Sequence, residues 1–352
     1  MTTGGNGGIT LTPTLDQAGR WSVAALPGGG LGERVGIDGV LTGLSRRGRR
    51  HRVRGGNDLR GFGWDRRDGR TREWWPQGIT TTSDSGRPPV AGQTRVLLAA
   101  WYRKDRRASD TAARLSVVDL GSATELPERP GYDHVLLVEA DQDPVSRAAR
   151  HAQVRVHAGG LVWWGDVLLV ADTRHGLRAF DLRDVVRVDP RAPGTYGCRY
   201  LLAQCGRWTA SADDGVRPLR WSFVSVDRTA PESQLVAGEY SRGDGARLAR
   251  FPLPDSPDET LTPTRAADVV TTGIASMQGA CRVRGRFVIS ASRGRHRRGH
   301  LWTGTARDGF RQHVGALPVG PEDLSYDRHT GRLWTQTEYP GSRGVWSVPL
   351  PP

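Results

Sequence analysis

Lysine is nearly missing from this sequence: Lys104 is the only one among 50 lysines and arginines. So extreme an arginine bias is the signature of GC-rich coding. The formal net charge of +13 therefore does not by itself argue for a nucleic-acid partner, as a basic stripe would. Two arginine runs stand out, Arg46–Arg54 and Arg293–Arg298. Each reads first as a solvated basic loop and second as an anion or nucleic-acid contact. Cysteine is scarce too. Three residues, Cys198, Cys205 and Cys281, are an odd number without regular spacing and exclude a disulfide framework. Cys198 and Cys205 flank the run Arg199–Gln204. In a strand rising ~3.3 Å per residue they stand too far apart to bridge. Reduced thiols fit a cytoplasmic protein.

Long hydrophobic runs are also missing. No stretch of ~18 apolar residues suggests a membrane helix. The opening Met-Thr-Thr-Gly-Gly-Asn-Gly-Gly has neither the basic nor the apolar region of a signal peptide, which again gives a cytoplasmic expectation. The chain has no Gly-Lys-Ser/Thr phosphate loop, no His-Glu-x-x-His, no Cys-x-x-Cys and no EF-hand loop. It has no Gly-x-Ser-x-Gly elbow. It also has no Gly-x-Gly-x-x-Gly between a strand and a helix. Serine-hydrolase and nucleotide-redox chemistry thus lack sequence support, and no cofactor is expected.

What the chain does contain is short apolar runs, β-branched or aromatic, fenced by Gly, Pro, Asp and Arg. Arg95–Tyr102 (RVLLAAWY), Arg114–Leu120, Val135–Ala140, Val167–Asp172, Arg286–Ser290 and Arg332–Gln336 are examples. Runs of this length and composition are strands, and helical periodicity is almost absent. Many short strands with frequent turns suggest a sandwich, a barrel or a propeller. A coarse repeat chooses the propeller. Each unit opens with a small or polar segment, continues with one strand and closes with another ending in Asp-Leu or Pro-Leu. The clearest copy is HAGGLVWWG–DVLLVADT–GLRAFDL, from His157 to Leu182. Others open near residues 76, 219, 276 and 320.

The expected fold is therefore an all-β β-propeller of about five blades, one domain over residues 21–352. Residues 1–20 are expected to be a flexible N-terminal segment. Asp133–Glu139 and Tyr200–Gln204 would supply outer fourth strands. A propeller must also close its last blade, and Arg20–Ala25 (RWSVAA) is the candidate strand. The Gly-rich stretch Gly55–Asp65 reads as an interblade or rim loop.

First strands line a propeller's channel, so the blade openings converge. They offer Gln77, His157, Ser222, Gln278 and Glu322, each near a small or polar residue. Small residues let backbones crowd an axis. Glu322 and His157 are the catalytic candidates. Burial would raise a carboxyl toward neutrality, and an imidazole changes charge near neutral pH. Gln77, Ser222 and Gln278 would position a substrate. Trp163, Trp221 and Tyr326, at or near blade openings, would stack on it, although core packing is the competing role for tryptophan. Calcium on Glu322 and Asp323 is a weaker reading. His296, His300 and His313 lie among arginines, which oppose a cation.

The stretches Val156–Leu182 (VHAGGLVWWGDVLLVADTRHGLRAFDL), Pro321–Asp327 (PEDLSYD) and Trp334–Val345 (WTQTEYPGSRGV) resemble propeller proteins of high-GC actinobacteria. The likeness runs from about Asn57 to the C-terminus. Those proteins are usually described as secreted or hypothetical; this sequence differs in lacking their signal peptide. The resemblance implies a propeller and carries no settled activity. Fold alone does not choose one either.

The functional expectation is a cytoplasmic enzyme, with specialised metabolism as its expected setting. It would act without a redox cofactor on a small organic molecule, by cyclisation, isomerisation, elimination or hydrolysis. The alternatives are a non-catalytic ligand-binding or protein-interaction propeller, and a glycan-cleaving enzyme. The last needs two facing carboxylates, whereas Glu322 and Asp323 are strand neighbours that point apart. No membrane or nucleic-acid partner is expected.

Overall fold

The computed structural model describes residues 8–15, 32–50, 59–86, 95–105, 111–121, 127–142, 149–257 and 262–352. Strands dominate, with one α-helix at Gly36–Thr42 among the described residues. No described helix is long and apolar enough to cross a membrane.

The strands form five four-stranded units among the described residues. Unit I is Trp74–Thr81, Val96–Arg103, Ala113–Asp119 and Gly131–Gln142. Unit II is Leu161–Trp164, Val167–Asp172, Gly176–Asp181 and the latter part of Tyr200–Ala212. Unit III is Phe223–Asp227, Gln234–Gly238, Arg247–Pro252 and Asp268–Thr271. Unit IV is Met277–Val283, Arg286–Ala291, His300–Thr305 and Gly309–His313. Unit V is Pro321–Asp327, Arg332–Thr337, Gly344–Pro349 and the early strand Arg60–Gly63. Neighbouring strands within each unit are antiparallel. The first strands contact one another in cyclic order, I to V and back to I. The fold is all-β and propeller-like.

The packing explains why these strands read as unbroken apolar runs. Each unit is covered on both faces, so alternate side chains enter different cores. In unit I, Leu98 and Ala100 join a cluster with Leu161, Leu168 and Phe180 of unit II. The intervening Leu97, Ala99 and Trp101 join Phe62, Trp334 and Val345 of unit V. The remaining neighbours are joined likewise, by Leu169 with Val224, by Phe223 with Ile289, and by Val288 with Leu333. Near the axis the backbones touch. A Cβ on Gly160 would sit 2.1 Å from the Val224 nitrogen, and one on Gly279 would sit 2.5 Å from that of Leu324.

Three sequence expectations change. The N-terminal segment is not wholly flexible: Ile9–Leu15 pairs antiparallel with Gly206–Ala212 and buries Ile9 and Leu11. Closure is made by Arg60–Gly63, bonded along Gly344–Ser347. The GFG of the expected rim loop is thus a strand, because Phe62 fills the core between units V and I. The candidate Arg20–Ala25 lies outside the described residues. Finally, Tyr200–Ala212 does more than edge one unit. Its first residues run parallel to Val135–Val138 of unit I, and its later ones complete unit II.

Candidate functional site

The polar openings are turned toward the axis by local irregularity. In units I, IV and V the first two strands shift register between Pro76 and Ile79, Met277 and Gly279, and Pro321 and Leu324. Such bulges re-aim side chains. The residues inside them are Gln77, Gln278, and Glu322 with Asp323. In units II and III, His157 and Ser222 precede the first strand itself. Left-handed backbone at Ala158, Ser276 and Gly320, with φ of 55°, 57° and 68°, helps form three of these openings. Two of these residues are not glycine, a conformation that is costly unless the surroundings impose it.

Gln77, His157, Ser222, Gln278 and Glu322 all line one axial cavity of about 470 Å³. The imidazole of His157 stacks on Tyr102, ring centroids 4.1 Å apart. The Gln77 amide donates to the Pro76 carbonyl, 2.9 Å. The Ser222 hydroxyl is buried without a hydrogen-bond partner among the described residues. Burial pushes the Glu322 carboxyl well above the ordinary range, and the nearby charges of Glu338 and Asp323 push it further. Glu338 lines the same cavity. Burial raises it too, against the Tyr339 hydroxyl and the charges of Arg343, His157 and Arg295, which favour its ionised form. Exposed Arg155, Arg174 and Arg220 line the opposite side, from units II and III. The cavity therefore has a carboxyl-bearing side of raised proton affinity and a cationic side that can hold an anionic group.

Other expected site residues lie elsewhere. Trp163 is buried in the core between units I and II, its Nε1 donating to the Gly165 carbonyl. Trp221 is buried against Phe251. Tyr326 packs on the core between units IV and V. None of the three lines the cavity. Alternation along a strand sends such rings between units, where they pack the cores and do not reach a ligand in the cavity.

Asp323 turns away from Glu322. Its Oδ2 accepts the Ile79 N–H at 3.0 Å and ties unit V to unit I. The two carboxyls therefore do not share a ligand position. No three His, Cys, Asp or Glu side chains converge as a metal group among the described residues. His300 and His313 are engaged with Gly315 and Thr303 respectively.

Sequence reasoning missed Glu338, Tyr102, Tyr240 and the Asp172–His175 turn, all of which line the cavity. A readable signal existed. These residues sit at the ends of second strands, which run antiparallel to the first and return to the same face. Glu338 shows the rule: its N–H donates to the carbonyl of Gly320, 3.1 Å, beside the opening that carries Glu322.

A Ser–His–Asp chain also occurs, on the flank of unit I. Trp101 Nε1 donates to Ser116 Oγ at 2.8 Å, so the hydroxyl donates to His134 Nδ1 at 3.1 Å. His134 Nε2–H then donates to Asp68, 2.9 Å. Burial, then the charge of Arg114, lowers the His134 pKa to about 4. Ser116 is fully buried, so no substrate reaches it. The chain holds strands of unit I to the Asp68 turn.

No family model and no curated protein matches this chain. Among solved structures, a glucose dehydrogenase superposes at a TM-score of 0.30 with 10% identity, over 80% of this chain and 97% of that one.

Proposed function

We propose that the five units are the blades of one five-bladed propeller domain that includes the strand Ile9–Leu15. Its axial cavity would transform a small organic molecule by proton transfer, without a redox cofactor. The observation that carries this reading is the pair Glu322 and Glu338. Both carboxyls enter one cavity, and both favour the protonated form more than a solvated glutamate does. A carboxyl that keeps its proton near neutral pH can act as a general acid. Glu322 is the proton donor, with Glu338 and His157 as its partners in proton exchange. The Gln77 and Gln278 amides and the Ser222 hydroxyl orient the substrate. The arginine wall would hold an anionic substituent. Cyclisation, isomerisation, elimination and hydrolysis all fit such a set.

Glycan cleavage is the second reading. Glu338 supplies a second cavity carboxyl in place of Asp323, which turns away, and a pair of carboxyls at one cavity is what glycosidic cleavage needs.

The test is turnover of a small-molecule extract by the purified chain, followed by mass spectrometry. Glu322→Gln should slow consumption of any metabolite the chain consumes by ~10²-fold or more. Consumption at an unchanged rate would overturn the assignment. An oligosaccharide substrate would select the second reading.

A further inference from the structure

A second and larger cavity, about 680 Å³, lies on the flank of unit I. It is lined from the turn before the first strand, from unit I itself and from the segment before Tyr200. Its floor holds Arg114, a buried arginine. The guanidinium lies over Trp74 at 4.4 Å and over Trp101 at 5.1 Å from the ring centroids. Only its Nη2 is committed, to Asp68 Oδ1 at 2.9 Å, and its buried Nε has no hydrogen-bond partner among the described residues.

The acids at this cavity are already engaged. Asp68 accepts from Arg114, Arg46, Tyr132 and His134. Burial alone would raise its pKa, yet His134, Arg114 and Arg46 hold it far below the carboxylate range. Glu73 is paired with Arg103. Arg66, Arg67 and Arg70 also line the cavity, and none of them makes an ion pair among the described residues. Tyr196, partly exposed at 41%, stands edge-on to Trp74 at the same mouth.

We infer that this cavity binds a small phosphorylated molecule, its phosphate on Arg114 and the three turn arginines and its flat organic part against Tyr196 and Trp74. Arginine forks match phosphate oxygens two at a time. Aromatic faces and edges suit a planar ring. A concave site with a buried arginine on its floor fits a small ligand better than an extended polyanion. This inference is independent of the axial cavity.

Calorimetric titration of the full chain tests it, with adenosine 5′-monophosphate, adenosine and inorganic phosphate as probes. The monophosphate should bind in a salt-sensitive manner and more tightly than either part. Inorganic phosphate binding as tightly as the monophosphate would overturn the organic half of the assignment. The triple variant Arg66→Gln/Arg67→Gln/Arg70→Gln changes only exposed side chains. It should weaken monophosphate binding by about tenfold or more, since charge-assisted contacts are the strong ones. Arg114→Lys should weaken it as well, while Glu322→Gln should leave it unchanged. The site assignment fails if no monophosphate binds at millimolar concentration, or if the triple variant binds it as the parent does. A single-stranded oligonucleotide binding more tightly, and lost in the triple variant, would also overturn it in favour of nucleic acid.

Discussion

Glu338, just past the second strand of unit V, raises the proton affinity of Glu322 in the first strand at the mouth of the axial cavity. The hairpin makes this so. Pro321 pairs with Thr337 in the register of the first two strands, which leaves the following Glu338 beside the preceding Gly320. Two carboxyls are then held at one mouth, where at least one favours the neutral form.

Glu338→Gln removes the negative neighbour. The Glu322 carboxyl should then titrate at lower pH. If Glu322 acts as the protonated acid, activity is lost as pH rises through its pKa, and that alkaline limb should move to lower pH in the variant. Carbon-13 NMR of the labelled carboxyl checks the same shift without a substrate. An unmoved titration would show that the two groups do not interact.

Asp84 lies deeper along the ring, where it accepts from Thr80 and Ser325 hydroxyls at 2.6 and 2.8 Å. Burial, partly offset by these bonds, raises its pKa from 3.8 to about 6. A carboxyl with a raised folded-state pKa favours folding below its unfolded pKa near 4. That contribution is lost as pH rises through 6. The two-unit shift corresponds to at most about 3 kcal/mol. Asp84→Asn keeps an acceptor and removes the titration. Denaturant unfolding between pH 4 and 8 should show the variant gaining stability relative to the parent as pH rises. Parallel curves would contradict this.

The axial residues were legible because a repeat that opens on small, polar segments announces an inner strand. Gln77, His157, Ser222, Gln278 and Glu322 needed only that the units form a ring. The bulges that aim three of them could not be read, since a bulge follows from pairing partners and not from local composition. Trp163 and Trp221 were misplaced for a related reason. Leu161 and Trp163 face one neighbour while Val162 and Trp164 face the other. In a strand covered on both faces, an aromatic residue near the opening points between units, not down the axis. The closing strand was missed because Arg60–Gly63 is four residues with two glycines, too short and too weak in β-propensity to signal itself.

Backbone crowding at the axis predicts a sharp contrast between two glycines. A Cβ on Gly160 would meet the Val224 nitrogen at 2.1 Å and force units II and III apart, whereas Gly243 sits in a surface loop with its nearest neighbour, the Ser241 hydroxyl, at 3.7 Å. Gly160→Ala should cost about 1–3 kcal/mol or more, as overpacking does. Gly243→Ala should change stability by less than about 0.5 kcal/mol. Thermal unfolding of the pair measures this directly, and equal melting temperatures would refute the contact.

Closure of the ring rests on Phe62, which is fully buried in a strand of only four residues. Its ring meets Trp64 edge-on at 5.4 Å, and Trp64 in turn meets Trp101 and Tyr132 at 5.1 and 5.0 Å. Phe62→Ala should therefore cost about 3–5 kcal/mol, the range for deleting a buried aromatic ring. The loss should not be uniform in space. The exposed edge it creates is the third strand of unit V, Gly344–Pro349, whose amides toward Arg60–Gly63 lose their partners when the short strand detaches. Native-state hydrogen exchange should accelerate first along Gly344–Ser347. Amides between Phe223–Asp227 and Gln234–Gly238, in a unit that does not contact Phe62, should keep their protection. Simultaneous acceleration in both places would mean that the molecule opens as one cooperative body, with no latch at this seam.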